Sequence, residues 1–432
     1  MNERIDLLVT PDIGNGYVKG KAVKKEPGFV SIMDIPSCCA YVTSTHDLKA
    51  EDGEVPGIIR DIFNQMDVSF DSPVVTDGNR RLFGKRGIQS GMSLEEFDVF
   101  SHVTKAKQNL SGILVLGCCA GAALQDYFGR YGQLPAEDDI VDCHVRCVLA
   151  LPIKEYKKYR EEYAVRLCSG SHIVTFHNFV HRVRIQITFD DVQVVAEGAS
   201  AQYAVIAKGP DFVEDALNDC RRYVSLDGIT ASDVLSATTT VGIDIGEGTT
   251  NFPVFQNGKF NVDVSVSMDK GYGSILTKVL DRLQGMGLAF DSRKELADYL
   301  QTPPSAIKRA AYEKIKQVVQ EETVTFVNDV KMRFVQVMSR VGAYVEVVYV
   351  YGGGASPVRD LLYPELVSVG VAYSSEFPIL YLDSRYSRML NREGLSWIGT
   401  QVAREDGWYN DAAPMMPAQE PVGAGVPAYP EG

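Results

Sequence analysis

Two runs of this sequence share one pattern, Asp12-Ile-Gly-Asn-Gly-Tyr-Val-Lys19 and Asp244-Ile-Gly-Glu-Gly-Thr-Thr250, and a third glycine run, Tyr351-Gly-Gly-Gly-Ala355, follows an apolar stretch. Glycine carries no Cβ, so a turn built from it lets successive backbone N–H groups face one anion, as phosphate oxygens require. Gly14, Asn15, Gly16 and Tyr17 on one side, and Gly246, Glu247, Gly248, Thr249 and Thr250 on the other, would then grip a polyphosphate between them. An aspartate opens each run where a strand ends, a place from which a carboxylate can hold the waters of a hydrated Mg²⁺ on the outer phosphates. Asp12 and Asp244 are the candidates, and Lys19 on the outgoing strand is placed to offset phosphate charge. A single turn of this kind reads as an ordinary hairpin. The same Asp-x-Gly-x-Gly core occurring twice is what points to phosphate.

The pattern around these runs predicts the elements that hold them. Ile5 to Thr10 reads as a strand, Pro11 to Gly16 as its turn and Tyr17 to Val23 as the return strand. Arg81-Leu82-Phe83-Gly84 follows a turn at Asp77 to Asn79, and Cys143 to Leu151 is a strand ended by Pro152. A helix is expected from Glu155 to Cys168, a hairpin over Ser171 to Asp190, a strand at Val192 to Val195 and a helix from Glu197 to Ala207. The second half repeats this order. Strand Thr240 to Ile245 meets the turn Gly246 to Gly248 and strand Thr250 to Gln256, and Asn257-Gly258 is a type I′ signal. Helices are expected over Ser274 to Gln284, Arg293 to Leu300, Pro304 to Glu321 and Phe326 to Val341, before the strand Tyr344 to Tyr351. Two such halves predict two related α/β lobes. Asp411 to Gly432, rich in Pro, Ala and Gly, is expected to be disordered.

With 432 residues, 45% of them hydrophobic, the chain can bury more than one core. Its formal net charge of −13 argues against direct binding of nucleic acid, which needs lysine and arginine to displace counterions. The basic residues from Lys154 to Arg166 are interleaved with Glu155, Glu161 and Glu162 and read as a solvated helix face. Charges of both signs in Met1 to Asp6 do not suit a signal peptide, and the apolar run Gly112 to Leu124 is short of a membrane span, so a cytoplasmic location without membrane contact is expected. Eight cysteines, all between Cys38 and Cys220, suit reduced buried thiols, and Cys143, His144 and Cys147 lack a second pair at zinc spacing.

On Asp12 to Lys19, Asp244 to Thr250 and Gly352 to Gly354, in that order, the sequence resembles the actin and heat-shock-chaperone ATPase superfamily, and most of all the plasmid-segregating bacterial actins of the ParM type. The resemblance runs to about Trp408 and implies an α/β fold of two actin-like, ribonuclease H-like lobes with a nucleotide cleft between them. It makes the three motifs phosphate 1, phosphate 2 and adenosine sites, with Gly352, Gly353 and Gly354 against the purine and ribose, and Ser356 or Arg359 nearby. Val192-Gln-Val-Val-Ala-Glu-Gly-Ala-Ser200 resembles the joint that carries the residue orienting the attacking water, here Glu197. Without the motif order Glu197 would be only a carboxylate at a helix start. Phe83-Gly84-Lys85, Val148 to Pro152, Asn391 to Leu395 and Trp397-Ile398-Gly399 match further pieces, the last two in the closing helix. The Ser44 to Asp77 region departs from the pattern. The implied lobes are 1–205 with about 385–410, and 206–384.

Fold alone does not fix the task within such a superfamily. The chain stops short of a chaperone's peptide-binding domain, shows no second substrate motif of a sugar or acetate kinase and offers no amphipathic anchor. What the resemblance implies is an ATPase, possessing Mg²⁺ and ATP or GTP as ligands, that polymerises head to tail into a helical homopolymer. It implies plasmid DNA moved only indirectly, through a centromere-binding adaptor of the ParR type. A small-molecule kinase on the same fold and a nonpolymerising nucleotide-dependent regulator are the alternatives.

Overall fold

The computed structural model describes residues 4–26, 28–42, 49–98, 103–290, 292–302, 304–373 and 377–409. The tail expected to be disordered, 411–432, lies outside them, as does part of the 44–77 region.

Ten strands form the first sheet: β1 (Ile5–Ile13), β2 (Tyr17–Lys24), β3 (Val30–Pro36), β4 (Cys38–Tyr41), β5 (Asp67–Asp71), β6 (Arg81–Phe83), β7 (Leu94–Glu96), β8 (Ile140–Leu151), β9 (Ser171–Phe176) and β10 (Val183–Ala196). Their order is β3-β2-β1-β8-β10-β9-β5-β6-β4-β7. The second sheet holds β11 (Thr240–Ile245), β12 (Thr250–Phe252), β13 (Val254–Gln256), β14 (Lys259–Phe260), β15 (Val266–Met268), β16 (Val347–Tyr351) and β17 (Ile379–Tyr381). In each sheet the aspartate-bearing strand has its hairpin partner antiparallel on one side and a parallel strand on the other. β1 lies between β2 and β8, and β11 between β12 with β13 and β16. Parallel strands at the centre of a sheet covered on both faces are apolar throughout, and β11 and β16 are buried along their whole length.

Several elements differ from the sequence expectation for identifiable reasons. The strand expected over Thr250 to Gln256 is β12 and β13, which keep one register against β11 and are parted only at Pro253, which has no N–H to donate; its carbonyl still accepts from the Gly242 N–H at 2.8 Å. The strands expected at Ser171 to Asp190 and Val192 to Val195 merge, because β10 runs on through an irregularity between Phe189 and Asp191. The two helices expected between Pro304 and Val341 are one helix, Arg309–Val341. The β-branched residues Thr323, Val324 and Thr325 fall between the two expected helices, yet Thr323 Oγ1 donates back to the Val319 carbonyl at 2.7 Å. A buried row of Ile315, Val318, Phe326, Val330, Phe334 and Val337 carries the helix across it. Asn257 and Gly258 both have positive φ, 53° and 70°, as the type I′ turn between β13 and β14 demands.

The apolar run at Gly112 to Leu124 is the middle of a longer helix, Asn109–Tyr131, closed by Gly132 at φ 67°. Among the described residues it is the one helix long and apolar enough to cross a bilayer, and 94% of its most apolar window is buried inside the fold. It belongs to the core with β1, β8, β9 and β10. The closing helix, Leu390–Glu405, crosses helix Ala199–Lys208 so closely that a Cβ on Gly394 would lie 1.8 Å from the Ser200 carbonyl oxygen. A Cβ on Gly399 would lie 3.0 Å from the Leu8 side chain and 3.1 Å from those of Thr10 and Val148 in the first sheet.

Candidate functional site

The two glycine turns have the same build. In the first, the Gly14 N–H donates to the Tyr17 carbonyl at 3.0 Å, and in the second the Gly246 N–H donates to that of Thr249 at 2.9 Å. Each bond closes a two-residue turn, Asn15-Gly16 and Glu247-Gly248. The carbonyls of both loops are tied back: Ser37 donates to Gly14 and Gly16, and the start of helix Tyr272–Gly285 donates to Gly246 and Glu247. Among the described residues no hydrogen bond engages the N–H groups of Asn15, Gly16, Glu247 or Gly248. Four backbone donors in two facing turns therefore stand ready for an anion. None of the four glycines in these turns has a positive φ, so they serve by leaving out a Cβ and not by left-handed geometry. A Cβ on Gly16 would lie 1.5 Å from Glu247 Oε2, which shows how closely the two turns meet.

The third loop does use the left-handed region. Gly352 has φ 96°, and a Cβ there would be 2.4 Å from the Ile245 carbonyl oxygen and 2.5 Å from Asp244 Oδ1. The Gly354 N–H donates to the Ile245 carbonyl at 2.8 Å, and Arg388 passes over Gly353. The adenosine-type glycines thus lie directly on the second phosphate-type turn.

Three carboxylates meet here. Asp12 on β1 is buried, with Lys19 Nζ 4.0 Å from its Oδ2, while the same ammonium donates to the Arg388 carbonyl at 3.1 Å. Asp244 on β11 accepts from Asn391 Nδ2 at 2.8 Å. Burial pushes its carboxyl up to about 7; the Asn391 bond and Lys19 pull it down, and the charges of Glu197 and Asp12 add to the rise. Glu197, at the end of β10, donates its N–H to the Leu151 carbonyl, and its side chain takes Lys105 Nζ on Oε1 at 2.7 Å and Asn251 Nδ2 on Oε2 at 3.3 Å. Burial raises its proton affinity, Lys105 opposes that, and Asp12 and Glu155 reinforce it. The sequence placed Glu197 at the start of a helix; the helix starts at Ala199, because Gly198 takes φ 80°, and a Cβ there would lie 3.1 Å from Asp244 Cβ and 3.3 Å from Asp244 Oδ2.

Of the remaining candidates, Tyr17 lies under the Arg388 guanidinium, and Thr249 Oγ1 takes a long bond from Asn251. Thr250 is fully buried and donates to the Lys270 carbonyl at 2.8 Å, so its hydroxyl supports the loop. Arg359 is taken up by Asp219 and the rings of Tyr363 and Tyr381, and Ser356 is exposed at the start of helix Ala355–Ala372. Sequence reasoning missed Lys105, Asn251, Arg388 and Asn391. Asn391 lay in a segment recognised as the closing helix, but Lys105 in Lys-Ala-Lys carries no signal at all.

Comparison with known proteins agrees with this geometry. Residues 11–199 match the family model described as the N-terminal domain of actin like proteins, and 242–363 match the C-terminal domain of the archaeal, MreB-like actin homologue. No curated protein matches the sequence. Among solved structures, the actin-like protein Alp7A has 16% identity and a TM-score of 0.60, over 94% of this chain and 99% of that one. The archaeal actin homologue Ta0583 has 13% identity and a TM-score of 0.57, over 91% and 99%. The ParM of Bacillus thuringiensis with ATP has 14% identity and a TM-score of 0.53, over 92% and 99%. With two models of this kind in chain order, twin hairpins that meet and a fold shared over nine-tenths of its length, the chain belongs to the actin-like proteins and has the ParM-type fold.

Proposed function

We propose that this chain binds and hydrolyses Mg-ATP in the cleft and uses that cycle to assemble and dismantle a cytoplasmic filament of itself, which moves plasmid DNA through a DNA-binding adaptor. The observation that carries the reading is the set of four unengaged N–H groups in two facing turns, with three buried carboxylates beside them. Solved relatives are described with ATP, with ADP in a Bacillus thuringiensis ParM hybrid, and as a non-polymerisable quadruple mutant of pCBH ParM.

The residues fit a hydrated divalent cation. Asp12, Asp244 and Glu197 crowd negative charge into a buried site, and burial together with the charges of Glu197 and Asp12 drives Asp244 toward holding a proton. Among the described residues no group of three or more His, Cys, Asp or Glu could hold a metal ion by itself; Asp12 and Asp244 are proposed to act through its waters, with phosphate oxygens as further ligands. Bound there beside Asp12 and Asp244, Mg²⁺ would neutralise charge on the outer phosphates. The chain's own part is positional. The turns and Lys19 fix the phosphates, and Glu197 accepts a hydrogen bond from the attacking water, holding it in line.

The lobes proposed for this cycle are 1–205 with 385–410, and 206–384, joined where Asn391 and Gly198 meet Asp244. A γ phosphate bridging both turns would hold the lobes closed, and its loss would loosen them and weaken contacts between neighbouring copies. The formal net charge of −13 supports an adaptor between polymer and DNA. The test is light scattering with simultaneous phosphate release after Mg-ATP is added at a series of protein concentrations. A threshold concentration for scattering, with phosphate trailing it, is expected. Flat scattering despite tight ATP binding would overturn the filament reading and direct the search to a phosphoryl acceptor.

A further inference from the structure

Lys105 sits in a short 3-10 turn, Lys105–Lys107, just before the core helix Asn109–Tyr131. It is buried, although lysine is rarely so unless paired. The turn is clamped from two sides. Glu155, in the first turn of helix Ile153–Cys168, accepts the N–H groups of Lys105 and Ala106 on its two carboxylate oxygens, both at 3.1 Å, and Arg166 donates to the Ala106 carbonyl at 3.1 Å. A turn held this firmly delivers the side chain to one place. There Nζ meets Glu197 Oε1 at 2.7 Å, with the Phe97 ring 5.8 Å away.

The charges around Glu197 come from β1 (Asp12), the 3-10 turn (Lys105), helix Ile153–Cys168 (Glu155) and β11 (Asp244). Lys105 is the cation among these, while Lys19 acts on Asp244 and is shared between Asp12 and the Arg388 carbonyl. Lys105 donates to one oxygen of Glu197, and the uncharged Asn251 donates to the other from the second sheet. A buried carboxylate can accept a bond from water only while it stays charged and fixed in direction, and an ammonium at hydrogen-bond distance supplies both conditions.

We propose that Lys105 is a positioning residue that keeps the Glu197 carboxylate charged and oriented at the cleft, so that it governs turnover of bound nucleotide and not its binding. This rests on the reading of Glu197 as the residue that orients the attacking water. The full chain is assayed for phosphate release over a range of Mg-ATP concentrations, with affinity for a fluorescent ATP analogue measured in parallel, for Lys105→Met, Glu197→Gln, the double variant and Lys105→Arg. Lys105→Met is expected to lower kcat about 10-fold or more and to leave nucleotide affinity within about 3-fold. The double variant should be no slower than Glu197→Gln alone, since Lys105 acts through that carboxylate. Lys105→Arg should recover turnover above the methionine variant.

Losses that multiply in the double variant, or an affinity loss matching the loss in kcat, would overturn the proposal. Glu197→Gln inactive with Lys105→Met at wild-type turnover sinks the role of Lys105 alone, whereas Glu197→Gln at wild-type turnover sinks the reading of Glu197 on which that role rests. If Lys105→Met does not fold, Glu155→Gln decides, because it loosens the turn and keeps the ion pair's chemistry. A drop in kcat at unchanged affinity supports the proposal, and unchanged kcat overturns it.

Discussion

The hairpin of β1 and β2 and that of β11 and β12 close with the same backbone bond around the same Asp-x-Gly-x-Gly core, yet they are held in place differently. The first is carried by long strands in seven-residue register, and its aspartate faces a lysine on its own partner strand. The second has an outgoing strand of only three residues before Pro253, and its aspartate is held by Asn391, which arrives from the closing helix. Asn391 also accepts from the Gly198 N–H and the Ser200 hydroxyl at 3.2 and 2.9 Å, so one amide ties the second turn to the segment after Glu197. A motif can therefore be repeated while its support is local in one copy and distant in the other. Changes in the second hairpin should be felt across the molecule.

The strongest way to break that comparison is to remove each aspartate's charge. Asp12→Asn and Asp244→Asn should each lower ATP hydrolysis by about 100-fold or more, through loss of charge opposite the metal-bound phosphates. Their stabilities should diverge. The folded Asp244 carboxyl holds its proton up to about 7 against an ordinary value of 3.8, so between those values the native state binds more protons than the unfolded chain. Its contribution is present below 3.8 and is lost as pH rises through about 7. Asp244→Asn should remove that loss and stabilise the nucleotide-free protein by about 2–4 kcal/mol at pH 8. Denaturant melts across pH 4–8 check this, and a wild-type curve parallel to that of Asp244→Asn would refute it.

Asn391→Ala should destabilise by about 2 kcal/mol, because it leaves Gly198 and Asp244 without their partner in a buried place. Lys19→Met, which cuts the corresponding support of the first hairpin, should weaken nucleotide binding more than it lowers the melting temperature. Equal melting losses for the two variants would erase the contrast. A finer test compares twin glycines. A Cβ at Gly14 would stand 2.7 Å from the Tyr17 carbonyl oxygen, which is backbone, whereas at Gly246 the nearest atom is 3.2 Å away. Gly14→Ala should therefore cost about 1 kcal/mol more than Gly246→Ala, read from paired melts. The smallest effect expected is for Thr250→Val, which removes one buried hydrogen bond to Lys270 and should cost about 1 kcal/mol with hydrolysis retained.

The twin turns and the strands that lead into them were legible because each depends on local residue types, whereas the glutamate-glycine joint was legible only through its resemblance to a family segment in the motif order. A two-residue hairpin needs glycine within a few positions of its aspartate, and β10 meets the following helix at a glycine with φ 80°. The helix of 33 residues was not legible as one element, since the β-branched stretch between its two expected parts is carried by burial against residues from elsewhere in the chain. Lys105 and Asn391 were not legible either. Each is a common polar residue whose meaning comes from a partner 92 or 147 positions away.

By itself the sequence determined the two phosphate-type turns, the order of the motifs and the α/β class, because strand periodicity and glycine placement act over a few residues. Only the tertiary structure decided that Asp12, Asp244 and Glu197 share one buried site, that Lys105 offsets the charge of Glu197 and that Asn391 joins the closing helix to the cleft. Electrostatic energy depends on distance and burial, and neither can be read from spacing along the chain.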